Sequence, residues 1–138
     1  MAGRVDISAL NTPPEQAEFD TAKYFAALGK DVTFIRASSI PKQRTPDILM
    51  DGVEWEIKCP EGHSKRTIES NFRKAVQQSK YIIFDLRRVK MSENACISQL
   101  KREFNARPYL KRLYIIMKNG TLLRFPQTVD ILDISAII

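Results

Sequence analysis

Residues 45–59 read TPDILMDGVEWEIKC, two short apolar runs separated by Asp51-Gly52. An Asp-Gly pair between such runs is a strong short-range signal for a two-residue β-hairpin turn. If those two residues form the turn, the register follows. Met50 faces Val53, Leu49 faces Glu54, Ile48 faces Trp55 and Asp47 faces Glu56. Strand side chains alternate between faces, so Val53, Trp55 and Ile57 point one way and Glu54, Glu56 and Lys58 the other.

That register sets two carboxylates against each other. Directly opposed strand residues stand roughly 5 Å apart, and like charges there are destabilising. A divalent cation converts the repulsion into coordination, because Asp and Glu oxygens are the ligands hard cations accept. Mg²⁺ is the expected ion, with Mn²⁺ or Zn²⁺ as alternatives. Lys58, on the same face as Glu56, would place an ammonium where it can orient an attacking water or stabilise a charged transition state. The other reading is a hairpin whose exposed acids only mark a solvent face.

The charge of the chain is unevenly placed. Residues 1–57 carry 6 Lys/Arg against 9 Asp/Glu, whereas residues 58–138 carry 16 against 7. An acidic half bearing the motif beside a strongly basic half suits a protein that handles phosphates. The same balance also fits a generic soluble basic protein. At 138 residues the chain is expected to form a single domain, 1–138, with 1–11 as a loosely ordered lead-in. Cys59 and Cys96 form no CxxC pair and no zinc-ligand set, which predicts free thiols in a reducing compartment. Cys59 falls on the Trp55 and Ile57 face and is expected to pack in the core. No apolar signal segment opens the chain and no run is long enough to span a bilayer, so no membrane partner is expected.

The remaining elements follow from periodicity and punctuation. Thr12-Pro13-Pro14-Glu15 predicts a helix start with Thr12 as cap and Glu15 completing a capping box, the helix running to Leu28 and stopping at Gly29. Phe19, Ala22, Phe25, Ala26 and Leu28 form its apolar arc, and Glu18 falls inside that arc, where a carboxylate needs a partner. A Lys or Arg would serve. Residues 31–37 read as a strand, and residues 38–45 as a polar loop whose Lys42 and Arg44 lead into the acidic site. Residues 61–66 form a second polar loop with the only histidine, His63, followed by Lys65 and Arg66. A helix is predicted over 67–80, with Ile68, Phe72, Ala75, Val76 and Ser79 marking the buried stripe, Arg73 and Lys74 on other faces, and Asn71 and Gln78 along one edge. A buried strand over 81–86, a helix over 92–107 capped by Ser92, and a hairpin turning at Asn119-Gly120 complete the reading. The apolar run 129–138 is expected to pack onto the domain or mediate association.

Asp47, preceded by Pro46, and then Glu56-Ile57-Lys58 resemble the PD-(D/E)XK nuclease signature. The resemblance implies an α/β fold with a restriction-endonuclease-like αβββαβ core, a mixed sheet flanked by helices, and here an added C-terminal helix and hairpin. It implies that Asp47, Glu56 and the main-chain carbonyl of Ile57 hold the metal, that Lys58 assists the attacking water, and that Glu18 on the first helix reaches the site. His63 is a further candidate for acid–base work near neutral pH. With Asn71, Arg73-Lys74-Ala75, Gln78 and YIIFDL following in order, residues from about 12 to about 125 resemble the C-terminal tRNA-nuclease toxin domains of contact-dependent growth inhibition (CdiA-type) proteins. That likeness implies a bacterial toxin domain that cleaves tRNA in the cytoplasm of a target cell and is neutralised by a cognate immunity protein. Lys42, Arg44, Lys65, Arg66, Arg73, Lys74, Lys111 and Arg112 are the candidate nucleic-acid contacts. The alternatives are a DNA-cleaving enzyme of resolvase or restriction type, a non-catalytic nucleic-acid-binding domain on the same scaffold, and an interaction module whose motif is incidental.

Overall fold

A computed structural model describes residues 2–41 and 43–127. Lys42 and the apolar run 129–138 lie outside the described residues. The elements are β1 (Val5–Asp6), α1 (Gln16–Ala27), β2 (Val32–Phe34), β3 (Ile48–Met50), β4 (Val53–Lys58), α2 (Lys65–Ala75), β5 (Tyr81–Asp85), α3 (Glu93–Asn105), β6 (Arg112–Ile116) and β7 (Leu122–Phe125). The fold is mixed α/β. Its seven described strands form one sheet in chain order, β1 through β7. β1 pairs with β2, β4 with β5 and β5 with β6 in parallel, and the other neighbours are antiparallel.

The hairpin forms in the predicted register, with Ile48 opposite Trp55, Leu49 opposite Glu54 and Met50 opposite Val53. Asp51 and Gly52 have φ of 54° and 78°. Two successive positive values suit the right-handed twist of a two-residue hairpin, and glycine accepts them without strain. The Trp55 indole Nε1–H donates to the Met50 carbonyl at 3.0 Å, bracing the turn from inside the core.

Two apolar layers cover the two faces. α1 brings Ala22 and Phe25 onto Val32, Phe34, Ile48, Met50, Trp55, Ile57 and Ile83. α2 and α3 bring Ile68, Phe72, Cys96, Leu100 and Phe104 onto Ile82, Phe84, Leu113 and Ile115. Ile82 and Ile83 thus lie in opposite layers, as the period-2 pleat requires. Aromatic contacts knit the α1 layer, with the Trp55 and Tyr114 ring centroids 4.5 Å apart.

Several boundaries differ from those read in the sequence. The lead-in contributes a strand: Gly3 N–H donates to the Ala26 carbonyl, and Val5 and Asp6 pair with Val32 and Thr33. Only glycine fits at position 3, since a Cβ would fall 1.9 Å from the Lys30 carbonyl oxygen. The capping box does not form. α1 starts at Gln16, with Glu15 itself as N-cap and no side-chain cap bond. Proline disfavours helical geometry in the residue before it, so the Pro13-Pro14 pair holds the chain extended. α2 ends at Ala75 rather than at 80, and tight turns carry the chain to Ser79. There the Ser79 hydroxyl donates to the Glu54 carbonyl at 2.6 Å, which directs the chain into β5. The Ser92 cap is present, its Oγ accepting from the Ala95 N–H at 3.3 Å.

Trp55→Phe should cost about 0.5–1.5 kcal/mol beyond the lost packing, because it removes the buried indole bond to the Met50 carbonyl. Urea unfolding would measure it. A loss below ~0.5 kcal/mol would show that the indole bond does not brace the hairpin.

Candidate functional site

The sheet opens a notch where β3 begins and β4 runs on. Asp47, just before β3, donates its N–H to the Trp55 carbonyl at 3.0 Å, and its own carbonyl accepts from Ile35 N–H at 2.9 Å. Its side chain then covers the unpaired edge of β4: Oδ2 accepts the Ile57 N–H at 2.7 Å. Glu56 is only 4% exposed. Its Oε2 stands 3.2 Å from the Lys58 ammonium. Its Oε1 is buried and has no partner among the described residues. Glu18 approaches from the first turn of α1.

Burial and crowding reshape the acidity of this group. Burial first, and then the Asp47 charge, push Glu56 up to about 8. Burial, followed by the charges of Asp47 and Glu15, pushes Glu18 up to about 7. Asp47 is also raised, mainly by burial, against the opposing pull of the Ile57 N–H. Three carboxyls this close share their protons, so they titrate as a set.

A cleft of about 520 Å³ lies beside them, with Glu15, Glu18, Ile57, Lys58, Cys59, Glu61 and Asn71 in its wall; Asp47 and Glu56 stand behind that wall, next to Ile57. Among the described residues, no three His, Cys, Asp or Glu side chains already stand as a closed ligand set for a metal. The groups that fit a hard divalent cation are two acids and one main-chain oxygen: Asp47, Glu56 and the carbonyl of Ile57. The unpartnered Glu56 Oε1 is the atom that most needs such a ligand, because a buried acceptor without a partner is costly.

The structure therefore gathers Glu18, Asp47, Glu56 and Lys58, and Asn71 shares the cleft wall with Glu18 and Lys58. His63 is exposed in the loop before α2 and is not part of the cleft wall. Lys65, Arg66 and Lys74 are exposed on α2, and Arg73 is engaged by Glu69 at 2.6 Å. Lys111 and Arg112 are exposed at the start of β6. Leu113 belongs to the α2 layer, so Arg112 projects from the opposite face, away from Glu56.

A buried polar clasp beside the cleft escaped the sequence reading. Asp85, 4% exposed at the end of β5, accepts from the Thr21 hydroxyl of α1 at 2.7 Å. Arg87 grips the same carboxylate with Nε at 2.9 Å and Nη2 at 2.7 Å. Arg88 holds Asp20 at 2.6 Å. These bonds fix α1 to the sheet one turn from Glu18. The available signal was an aspartate closing an otherwise apolar strand, with arginines two and three residues on.

The raised acids set the pH dependence of stability without metal. Their folded-state values lie above the unfolded ones, so the folded chain holds more protons, and stability falls as pH rises from 4.5 to about 8. Thermal unfolding in EDTA should show this decline, and Glu56→Gln should make it shallower. An equal slope in the variant would mean that Glu56 does not carry the effect.

Comparison with known proteins identifies the family. Residues 44–122 match the family described as the contact-dependent growth inhibition CdiA C-terminal domain, and the matched stretch includes Asp47, Glu56 and Lys58. No curated protein matches the chain. Among solved structures, the chain is similar to one from the CdiA-CT/CdiI toxin and immunity complex from Burkholderia pseudomallei, with 23% identity, a TM-score of 0.60, and coverage of 89% of this chain and 98% of that one. That likeness is one of fold. The family match covers more than half of the chain, and the chain belongs to the contact-dependent growth inhibition CdiA C-terminal domain family.

Proposed function

We propose that this domain is a metal-dependent nuclease of the PD-(D/E)XK type that cleaves tRNA as a toxin and is held in check by an immunity protein. The observation that carries the reading is the clustering of Asp47, bonded to the Ile57 N–H, with Glu56 and the Lys58 ammonium that it pairs with, Lys58 standing in the wall of the cleft. Family membership, and a structural neighbour named as a toxin and immunity complex, support the toxin role.

In this mechanism Asp47, Glu56 and the Ile57 carbonyl would hold a divalent cation, most simply Mg²⁺. When bound, the cation supplies Lewis-acid stabilisation of phosphoryl charge and lowers the pKa of an attacking water. The Ile57 N–H orients the Asp47 carboxylate, fixing one oxygen and leaving Oδ1 for the site. Lys58 holds its ammonium at the cleft wall, where it orients the attacking oxygen and offsets charge building on the phosphate. Glu18, raised to about 7, can accept a proton from that oxygen near neutral pH. Hydrolysis then forms the new oxygen–phosphorus bond as the bond to the leaving sugar oxygen breaks.

Asp47→Ala and Glu56→Ala should each abolish cleavage of total tRNA in Mg²⁺ while keeping a cooperative unfolding transition. Lys58→Ala should lower kcat and kcat/KM by a similar factor, on the order of 10²–10³, as expected for an interaction made in the transition state. Wild-type protein that cuts equally fast in EDTA would sink the metal-dependent reading. A Lys58 effect confined to KM would reduce that residue to a phosphate contact.

A further inference from the structure

The notch around Asp47 has two flanks of opposite character. On one side lies the cleft, whose wall carries Glu15, Glu18 and Glu61 with Lys58 as its cation. On the other lies a groove of about 470 Å³ between the loop before β3 and the turn after α2, lined by Ala37, Ser38, Gln43, Arg44, Thr45 and Gln78. No carboxylate lines the groove, and its charged side chain is Arg44. Thr45, in its wall, is two residues from Asp47 in the chain, and Ile57, bonded to Asp47, is in the wall of the cleft.

We propose that this groove is a binding subsite for the backbone phosphate next to the scissile one, with Arg44 as its anchor. The inference rests on the nuclease reading for the position of the cut, but not for the chemistry of the groove. Arg44 is exposed and presents a guanidinium fork suited to two phosphate oxygens. The Thr45 hydroxyl oxygen accepts the Ser38 N–H at 3.1 Å, which leaves its own proton to donate. The Ser38 hydroxyl is committed to Gln43 and also accepts from the Ile40 N–H at 3.1 Å, so these bonds shape the loop instead of meeting a ligand. The Gln78 carbonyl oxygen is buried without a partner among the described residues, which leaves the amide N–H₂ as the polar end available to the groove. Arginine, hydroxyl and amide donors together, with no acid among them, match an anion.

The division of labour explains how a polyanion approaches the three acids at the notch. The acidic cleft repels phosphate until a cation is bound, while the groove attracts it throughout. A strand seated in the groove is held with its next phosphate at Asp47 and Glu56. Arg44 thus supplies ground-state binding, and the chemistry stays with the acids and Lys58.

The test uses the full chain carrying Glu56→Gln, so that no arm is cut, with a fluorescent ten-nucleotide single-stranded RNA titrated in EDTA at several salt concentrations. Adding Arg44→Ala should weaken binding about tenfold and lower the salt slope by roughly 0.7, the value for one phosphate contact on a single strand. The loss should be alike for oligo(A), oligo(C) and oligo(U), since phosphate carries no base identity. Arg102→Ala, on an exposed face of α3 outside the groove, should leave a slope steeper than that of the Arg44 variant. In the otherwise wild-type chain, Arg44→Ala should raise KM with kcat unchanged. Arg44→Lys should recover part of the salt slope, which separates lost charge from a disturbed loop. An unchanged slope in Arg44→Ala, a loss that depends on the base, or a fall in kcat alone would overturn the proposal. A wild-type chain that cuts no nucleic acid, but whose slope still falls in Arg44→Ala, would remove the nuclease reading and keep the phosphate site.

Discussion

Everything at the notch depends on the two residues that turn the β3–β4 hairpin. With Asp51 and Gly52 at positive φ, the pairing of Ile48 with Trp55 is fixed, and Asp47 is carried to the flank of β4, where it bonds the Trp55 carbonyl and the Ile57 N–H on either side of Glu56. A slip of one residue would carry Trp55 to the face of the acids and bury Glu56 and Lys58 in the aromatic layer. The core and the candidate site are thus specified by one turn. The hydrophobic demand of Trp55, 1% exposed, enforces the position of charged groups that would otherwise repel each other.

The acids remain close because other elements offset their cost. The Ile57 N–H and the Lys58 ammonium engage one oxygen each of Asp47 and Glu56. Glu18 is brought in by α1, whose Ala22 and Phe25 are buried and whose Thr21 is bonded to Asp85. The helix is therefore held by packing and by the clasp, and its first-turn carboxylate is carried into a place it would not choose on its own. Destabilisation is concentrated at the site and compensated one turn away, as expected where a protein keeps unsatisfied groups for a ligand.

Local signals explain which parts were legible in the sequence. The hairpin, its register, the strand at β5, the Ser92 cap and the second hairpin each rest on residues close together in the chain. β1 did not, because two residues have no periodicity and their pairing depends on Gly3 fitting against Lys30. The start of α1 departs from its capping pattern because two prolines restrict the backbone before Gln16. The end of α2 depends on a bond from Ser79 to Glu54, 25 residues back. The Asp85 clasp spans 64 residues to Thr21, beyond any spacing rule. Charge counting located a basic half but could not assign faces. Strand alternation turns Arg112 away from Glu56, whereas Arg44, in the acidic half, lines a groove beside it.

Cys59 has a consequence for the durability of the site. It stands in the wall of the cleft, 3.4 Å from the Thr21 hydroxyl, and burial pushes its thiol up to about 12. Thiolate is the form that reacts with peroxides, disulfides and alkylating agents, and at neutral pH this sulfur is almost wholly protonated. The rim of the acidic cleft therefore carries a chemically quiet sulfur. Its oxidation is slow in proportion to its small thiolate fraction, so the carboxylates beside it are slow to gain a charged or bulkier sulfur as neighbour.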